Sequence, residues 1–368
     1  MSRHFLIIGG GIVGASLAYE LSQSGQRVTV LEQHAVAAGA SSKSFAWLNA
    51  NYPDTPEYFT LRLAALAHYR ALAKAHDLSA FLRFGGSLWW EDEGEAFDAH
   101  AALLARHNYR SEVIDAAAFA RLAPAIKNPP AKSLYAPEEA GVFLAGLTRW
   151  LIAQASANGA VVQTGIAVDA IERRGDRVTG VRTALETLSA DHVIVAAGVL
   201  TGDMLAGLGF QLPMSNNAGL LLRSAPLPPL LDHVMMTPDV HFRQDPDGSL
   251  MMGEIFSGAF EAGRDIDALR SSVLDRVKAR LTSPAPLAIA QTMIGTRPMP
   301  SDGMPAIGPV PGVKGVSVAV MHSAATLGPM IGHIFAHELL SGEQAPLLDA
   351  FRPNRFSAQT PSAGEPAP

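Results

Sequence analysis

The sequence has no cysteine. Disulfides, cysteine-ligated zinc, iron–sulfur clusters and thiol catalysis are therefore excluded. Basic residues are not in excess. Lys and Arg number 28 against 34 Asp and Glu, a formal net charge of −6, which leaves no electrostatic footprint for nucleic acid. No apolar run is long enough to span a membrane and no secretion signal is evident, so a cytoplasmic protein is expected. Charged residues make up 17% of the 368 positions and hydrophobic ones 48%. That balance suits a well-buried α/β protein of two domains, or of one domain with a large insertion. No internal repeat is present.

What is present starts at once. Phe5-Leu6-Ile7-Ile8 is a short apolar run, expected to be a buried parallel strand. Gly9-Gly10-Gly11-Ile12-Val13-Gly14 follows and fits G-x-G-x-x-G. Ala15 to Leu21 is expected as a helix stopped by Gly25, and Arg27 to Glu32 as a second strand ending in an acid. Strand, glycine turn, helix, strand, acid is a dinucleotide-binding unit. Gly9 serves the tight turn, Gly11 lets backbone approach a pyrophosphate, and Gly14 lets helix and strand pack closely. The helix N-terminus offers N–H groups and a partial positive charge to phosphates. Glu32, followed by Gln33, is placed to accept hydrogen bonds from a ribose.

Further on, Ala38 to Ser44 is a small-residue loop suited to crossing close to a cofactor. Pro56 to His76 has helical periodicity, Phe84 to Trp90 is expected as a strand, and the acid run Glu91 to Glu95 as a solvated turn. Ala145 to Asn158 is a helix ended by Gly159. The alternating stretch from Val161 to Val181 suggests a small antiparallel meander, leading into a buried strand from His192 to Gly198. Val240 to Arg243, the turn Asp245-Pro246-Asp247-Gly248 and Ser249 to Gly253 form a hairpin signal. The strand Val316 to Val320 is followed by a small-residue loop, His322 to Gly328, and a helix from Pro329 to Leu340.

Four stretches together resemble the D-amino-acid-oxidase-like FAD-dependent oxidoreductases, the glycine oxidase and sarcosine oxidase group. They are Ile8 to Glu32 with Gly39-Ala40-Ser41-Ser42, Gly159 through Val168, Val193 to Gly198, and Gly295-Thr296-Arg297-Pro298 with Asp302 to Gly308 and His322 to Pro329. The resemblance implies a Rossmann-type FAD-binding domain discontinuous in sequence (1–84, 135–218 and 288–356). It also implies a second domain on a mixed or antiparallel substrate-binding sheet (85–134 and 219–287) and a disordered tail (357–368). FAD is implied as cofactor. It would be held by Gly9, Gly11, Ile12, Val13, Gly14, Glu32, Gln33, Ala40, Ser41, Ser42, Lys43, Val168, Ala196, Ala197, Gly198, Arg297, Ala325, Thr326 and Leu327. With no cysteine, and no histidine at Lys43–Ser44, the FAD is expected to be non-covalent. The helix beginning at Pro329 is expected to point its positive end at the loop before it.

Arg297 is the first candidate for binding substrate, because a planar guanidinium holds a carboxylate in a fork and Gly295-Thr296-Arg297-Pro298 matches the family pattern. His241 stands where glycine oxidase has a tyrosine facing substrate. His322 either touches substrate or polarises the flavin, unless it is a core residue. Arg243 shares a strand face with His241 and is expected on a hairpin surface. His333 and His337 lie four apart, but no third metal ligand is evident, so no metal is expected. The implied activity is oxidation of a carboxylate-bearing amine, a D- or N-substituted amino acid, by hydride transfer to flavin N5. The resulting imine hydrolyses. Oxygen or another acceptor takes the electrons. A 2-hydroxy-acid oxidase and a flavoprotein subunit of a larger amine dehydrogenase remain open alternatives, as does a homo-oligomer.

Overall fold

The computed structural model describes residues 2–53, 55–215, 217–254, 265–282 and 286–359. Two large sheets organise them. The first has six strands, in the order Ala306–Pro309, Val316–Val320, His192–Val195, His4–Ile8, Arg27–Glu32 and Val161–Thr164. All pair in parallel except Ala306–Pro309, which is antiparallel to its neighbour. His4–Ile8 lies in the middle and is buried along its whole length, as a strand covered on both faces must be.

The helix Ile12–Gln23 follows the glycine turn and is buried nearly all round. It packs between the helices Leu144–Ala157 and Ala324–Ser341. Missing side chains make this approach possible. A Cβ on Gly14 would lie 2.0 Å from the Gly9 carbonyl oxygen, and one on Gly332 would lie 2.5 Å from Ser16 Cβ.

The second sheet has eight strands. Their order is Ile289–Thr296, Ala218–Ser224, Leu250–Gly253, His241–Gln244, Val234–Met236, Ser87–Trp89, Lys132–Ala136 and Glu112–Asp115. It is antiparallel except where Val234–Met236 runs parallel to Ser87–Trp89. The helix Ile266–Arg280 covers it with Leu269, Val273 and Val277, at the four-residue spacing of one helical face. Among the described residues no helix is long and apolar enough to cross a membrane.

Four expectations need correcting. Val161–Thr164 is not part of a meander; it pairs in parallel with Arg27–Glu32, and only Val168–Arg174, Arg177–Thr183 and Thr187–Ser189 form the small antiparallel sheet. Alternation within a strand does not reveal which neighbour it pairs with. The last long helix starts at Ala324, not Pro329. Proline has no N–H, so the helical hydrogen bond to the Ala325 carbonyl is lost. Tyr69, on the helix Pro56–Ala75, donates its hydroxyl to that oxygen at 2.6 Å. The tail is ordered further than expected: Pro353–Gln359 is a 3-10 segment, with Phe356 buried in the core, while 360–368 lie outside the described residues. Finally, the acid run is not wholly solvated, because Glu91 turns inward and is bonded by Tyr52 and Trp89.

Candidate active site

Two adjoining cavities occupy the region where the sheets meet. The first, of about 350 Å³, follows the carboxyl ends of the parallel strands. Gly9, Gly11, Ile12, Val13, Glu32, Gln33, Ala40, Ser41, Lys43, Val168, Ala196, Ala197, Gly198 and Ala325 line it, all of them candidate cofactor residues. Gly9 needs to be glycine: its φ is +111° and a Cβ would lie 2.4 Å from the Ala196 carbonyl oxygen. Gly11 differs, since a Cβ there would project into the cradle and meet Ser41 Oγ at 3.3 Å. Ser41 Oγ accepts from the Ile12 N–H at 2.9 Å, and Gly11 supplies no side-chain cap to the helix. Backbone N–H groups hold the Glu32 carboxylate, from Gly10 at 2.8 Å and His34 at 2.9 Å.

Five of the candidate cofactor residues do not line this cavity. Gly14 serves helix packing. The Ser42 hydroxyl turns back to the Gly39 carbonyl at 3.2 Å, and Leu327 is buried in the core. Thr326 and Arg297 line the neighbouring cavity instead.

That second cavity has a volume of about 470 Å³ and shares Ala40, Lys43, Ser44, Thr296, Pro298, His322 and Ala325 with the first. Its own lining is different in kind. Long side chains dominate: Phe45, Trp47, Tyr52, Arg62, Arg297 and Met299. Burial lowers the Arg297 pKa from its ordinary value, yet a guanidinium stays charged at any working pH.

His322 stands at the junction of the two. The Tyr58 hydroxyl donates to Ser323 Oγ at 2.8 Å, and Ser323 Oγ lies 3.0 Å from His322 Nδ1. Burial, then the charges of Arg297 and Arg62, push the His322 pKa down to about 4. His322 is thus held neutral, with Nδ1 engaged by the Ser323 hydroxyl.

His241 does not line either cavity among the described residues. It is 1% exposed, and its Nε2 pairs with Glu91 Oε1. Glu91 Oε2 also accepts from the Tyr52 hydroxyl at 2.6 Å and from Trp89 Nε1 at 3.0 Å. Burial raises the Glu91 pKa, but bonds from His241, Tyr52 and Trp89 outweigh it, and the net shift is downward. His241 therefore meets the cavity lining through Phe45, whose ring centre lies 6.0 Å from its own, and through Glu91, which Tyr52 bonds. Arg243 is not on a hairpin surface. It is buried, pairs with Asp245, and donates to the carbonyls of Phe45 at 2.5 Å and Val142 at 2.9 Å.

The family of FAD-dependent oxidoreductases designated DAO matches residues 4–338. The chain belongs to that family. Glycine oxidase of Pseudomonas putida is 26% identical over 371 residues, covering 95% of this chain and 97% of that protein. The crystal structure of glycine oxidase from Geobacillus kaustophilus superposes with a TM-score of 0.85 at 22% identity, over 96% of this chain and 99% of that one. Iminodiacetate oxidase from Chelativorans sp. BNC1 gives 0.82 at 23% identity, over 95% and 98%. This DAO-family protein is accordingly an FAD-dependent amino acid or amine oxidoreductase.

The residues of the first cavity fit that cofactor. A helix start with no side chain at its N-cap borders a cradle that a Cβ on Gly11 would enter, beside a carboxylate fixed by two amides. The sequence reasoning missed Tyr52, Trp47, Arg62 and Glu139. Glu139 is fully buried and accepts from Trp47 Nε1 at 2.6 Å, Ser87 Oγ at 2.5 Å and the Tyr109 hydroxyl at 2.6 Å. Burial pushes its pKa up to about 7, against the pull of these donors and of Arg62. Nothing local to Glu139 in the sequence marks it. Arg62 carried a signal that was available: an arginine on the apolar side of a periodic helix, between Leu61 and Leu66.

Proposed function

We propose that this protein oxidises a small amine bearing a carboxylate, a D- or N-substituted amino acid. The observation that carries this reading is the pairing of Arg297 with a neutral His322 in one cavity. Arg297 presents a fork to a carboxylate. His322 stands beside it as a neutral ring, with Nδ1 engaged by Ser323. An α-hydroxy acid needs a base for its hydroxyl proton. Among the described lining residues, His322 is a weak base, since burial and the charges of Arg297 and Arg62 push its pKa down to about 4, and the carboxylate of Glu254 lies 3.1 Å from Arg276. An amine that arrives neutral needs no base: its lone pair forms the C=N bond as hydride leaves the carbon, and water hydrolyses the imine.

Bound FAD supplies the two-electron acceptor. Gly9, Gly11, Ile12, Val13, Glu32 and Ser41 would hold it non-covalently. The chain's own residues orient the substrate and exclude water around the reacting carbon. The test is an anaerobic panel of amino acids, N-alkyl amino acids and 2-hydroxy acids, read as bleaching of the flavin absorbance. Bleaching by at least one amine and by no hydroxy acid is expected. Bleaching by hydroxy acids alone overturns the reading.

A further inference from the structure

One stretch of chain forms a wall of the substrate cavity: Phe45, Ala46, Trp47, Asn49 and Tyr52 all line it. Within that stretch the strand Trp47–Leu48 pairs with Ala140–Val142, Trp47 opposite Gly141 and Leu48 opposite Ala140. Glu139 immediately precedes Ala140–Val142 and is fully buried. It lines neither cavity. Its backbone is pinned to the eight-stranded sheet: its N–H donates to the Ala136 carbonyl at 3.3 Å, and its carbonyl accepts from the Gly86 N–H at 3.1 Å. The side chain reaches from there to the wall. Oε2 accepts from Trp47 Nε1, and Oε1 accepts from the Tyr109 hydroxyl, both at 2.6 Å. The Tyr109 oxygen accepts in turn from the Ala50 N–H at 3.2 Å. One carboxylate thus ties the wall at two points, the indole of residue 47 and the backbone of residue 50. The placement is passed on. The Trp47 ring meets the Tyr52 ring edge-on, at 6.3 Å and 86°, and the Trp47 carbonyl accepts from Thr326 Oγ1 at 3.3 Å.

We propose that Glu139 is a positioning residue for the substrate site: it holds Trp47 and Ala50 in fixed relation, gives the cavity wall one shape, and does so without touching substrate. This rests on the reading above only in taking the second cavity as the substrate site. An indole has a single donor, so the acceptor it finds sets the rotation of the ring. A carboxylate is a strong acceptor for it, and its second oxygen remains for the tyrosine. A second route from Glu139 to the same cavity exists, because the charge of Arg62 acts on it. The two routes make different predictions, since only the first passes through Trp47.

The experiment measures anaerobic flavin reduction by N-methylglycine, D-alanine and glycolate, and follows the flavin spectrum with acetate, which is not oxidised. Glu139→Ala should raise half-saturation at least about tenfold, the scale of one charge-assisted hydrogen bond, with the limiting rate and FAD content nearly unchanged. Glu139→Gln should recover part of this, because its amide oxygen still accepts from Trp47 while its NH2 cannot accept from Tyr109. The deciding measurement is a double-mutant cycle with Trp47→Phe. In that background Glu139→Ala should raise half-saturation by less than about threefold. The full effect in that background means that the carboxylate acts through Arg62 or through general packing, and overturns the proposal. An unchanged half-saturation in Glu139→Ala also overturns it. If Glu139→Ala does not fold, judged by melting temperature and FAD content, Glu139→Gln takes its place in the cycle, and additive effects overturn the proposal. Failure of the amine reading looks different: glycolate alone bleaches the flavin, and the cycle is read on glycolate. If none of the three bleaches it, the cycle is read on acetate, and acetate binding that is absent or indifferent to both substitutions overturns the proposal.

Discussion

The two cavities share a wall and are built in opposite ways. The cofactor side is shaped where glycines let backbone come close to backbone, as at Gly9 against Ala196. The substrate side adds arginine, tryptophan, tyrosine and phenylalanine, and of these Trp47 and Tyr52 are held by distant carboxylates, Glu139 and Glu91. A backbone-built site tolerates almost no added atom. A side-chain-built site tolerates added atoms but is sensitive to the loss of one charge or one hydrogen bond.

The largest effect should come from breaking the backbone side. Gly14→Ala puts a methyl 2.0 Å from the Gly9 carbonyl, an overpacking that should cost about 3 kcal/mol. A large drop in melting temperature and loss of yellow colour are expected. Gly11→Ala sharpens the contrast, because its methyl points into the cradle: the apo protein should melt nearly as wild type, while FAD affinity falls at least about tenfold. Equal melting losses in the two variants would show that the glycines are not doing different jobs.

On the side-chain side, Arg297→Ala removes a fork whose charge-assisted bonds are worth about 1.5–3 kcal/mol each. Half-saturation for a carboxylate substrate should rise at least about tenfold, with FAD content and melting temperature little changed. Arg297→Lys should recover part of this. An unchanged half-saturation in Arg297→Ala would place the carboxylate elsewhere.

Glu139 predicts a pH effect of comparable size. Its folded pKa, about 7, lies above the ordinary value of 4.5. Its contribution to stability is therefore complete below about pH 4.5 and is lost as pH rises through about 7. The difference amounts to about 2–4 kcal/mol at most. Glu139→Gln removes the titration, so its melting temperature should gain on wild type between pH 5 and pH 8. Parallel melting curves across that range would refute the buried titration.

The smallest effect concerns the shared wall. Tyr69→Phe strips the Ala325 carbonyl of its donor and should cost about 1–3 kcal/mol. In a Pro329→Ala background the helix regains its own N–H, and the cost should shrink. Equal costs in the two backgrounds would mean that the tyrosine bond is not compensating for the proline.

The same contrast explains what the sequence disclosed. The dinucleotide unit was legible because its pattern is local: turn, helix, strand and acid lie between Ile8 and Glu32, and Gly14 answers to Gly9 five residues before it, although Gly9 itself answers to Ala196. Arg297 could be singled out as a candidate because a short pattern surrounds it, and it does line the cavity. The rest of the substrate cavity could not be, since its partners are remote in the chain. Glu139 meets Trp47 across 92 residues, and Glu91 reads as a surface acid until the strand carrying His241 is laid beside it. The helix start at Ala324 was missed because proline is favoured in a first helical turn, and the tyrosine that makes an interior proline tolerable sits on another helix.

That helix, Pro56–Ala75, has one further consequence. Tyr58 reaches Ser323, Arg62 reaches the substrate cavity, and Tyr69 reaches Ala325. Three separate appointments are thus kept by one rigid rod at fixed angular settings. Each residue added to a helix turns everything beyond it by about 100° and advances it about 1.5 Å. Evolution can exchange the side chains along this rod one at a time, but it cannot change the number of residues between Tyr58 and Tyr69 without missing an appointment at one end. Insertions that diversify this chain belong before residue 56 or after residue 75, and the stretch between them is a ruler of fixed length.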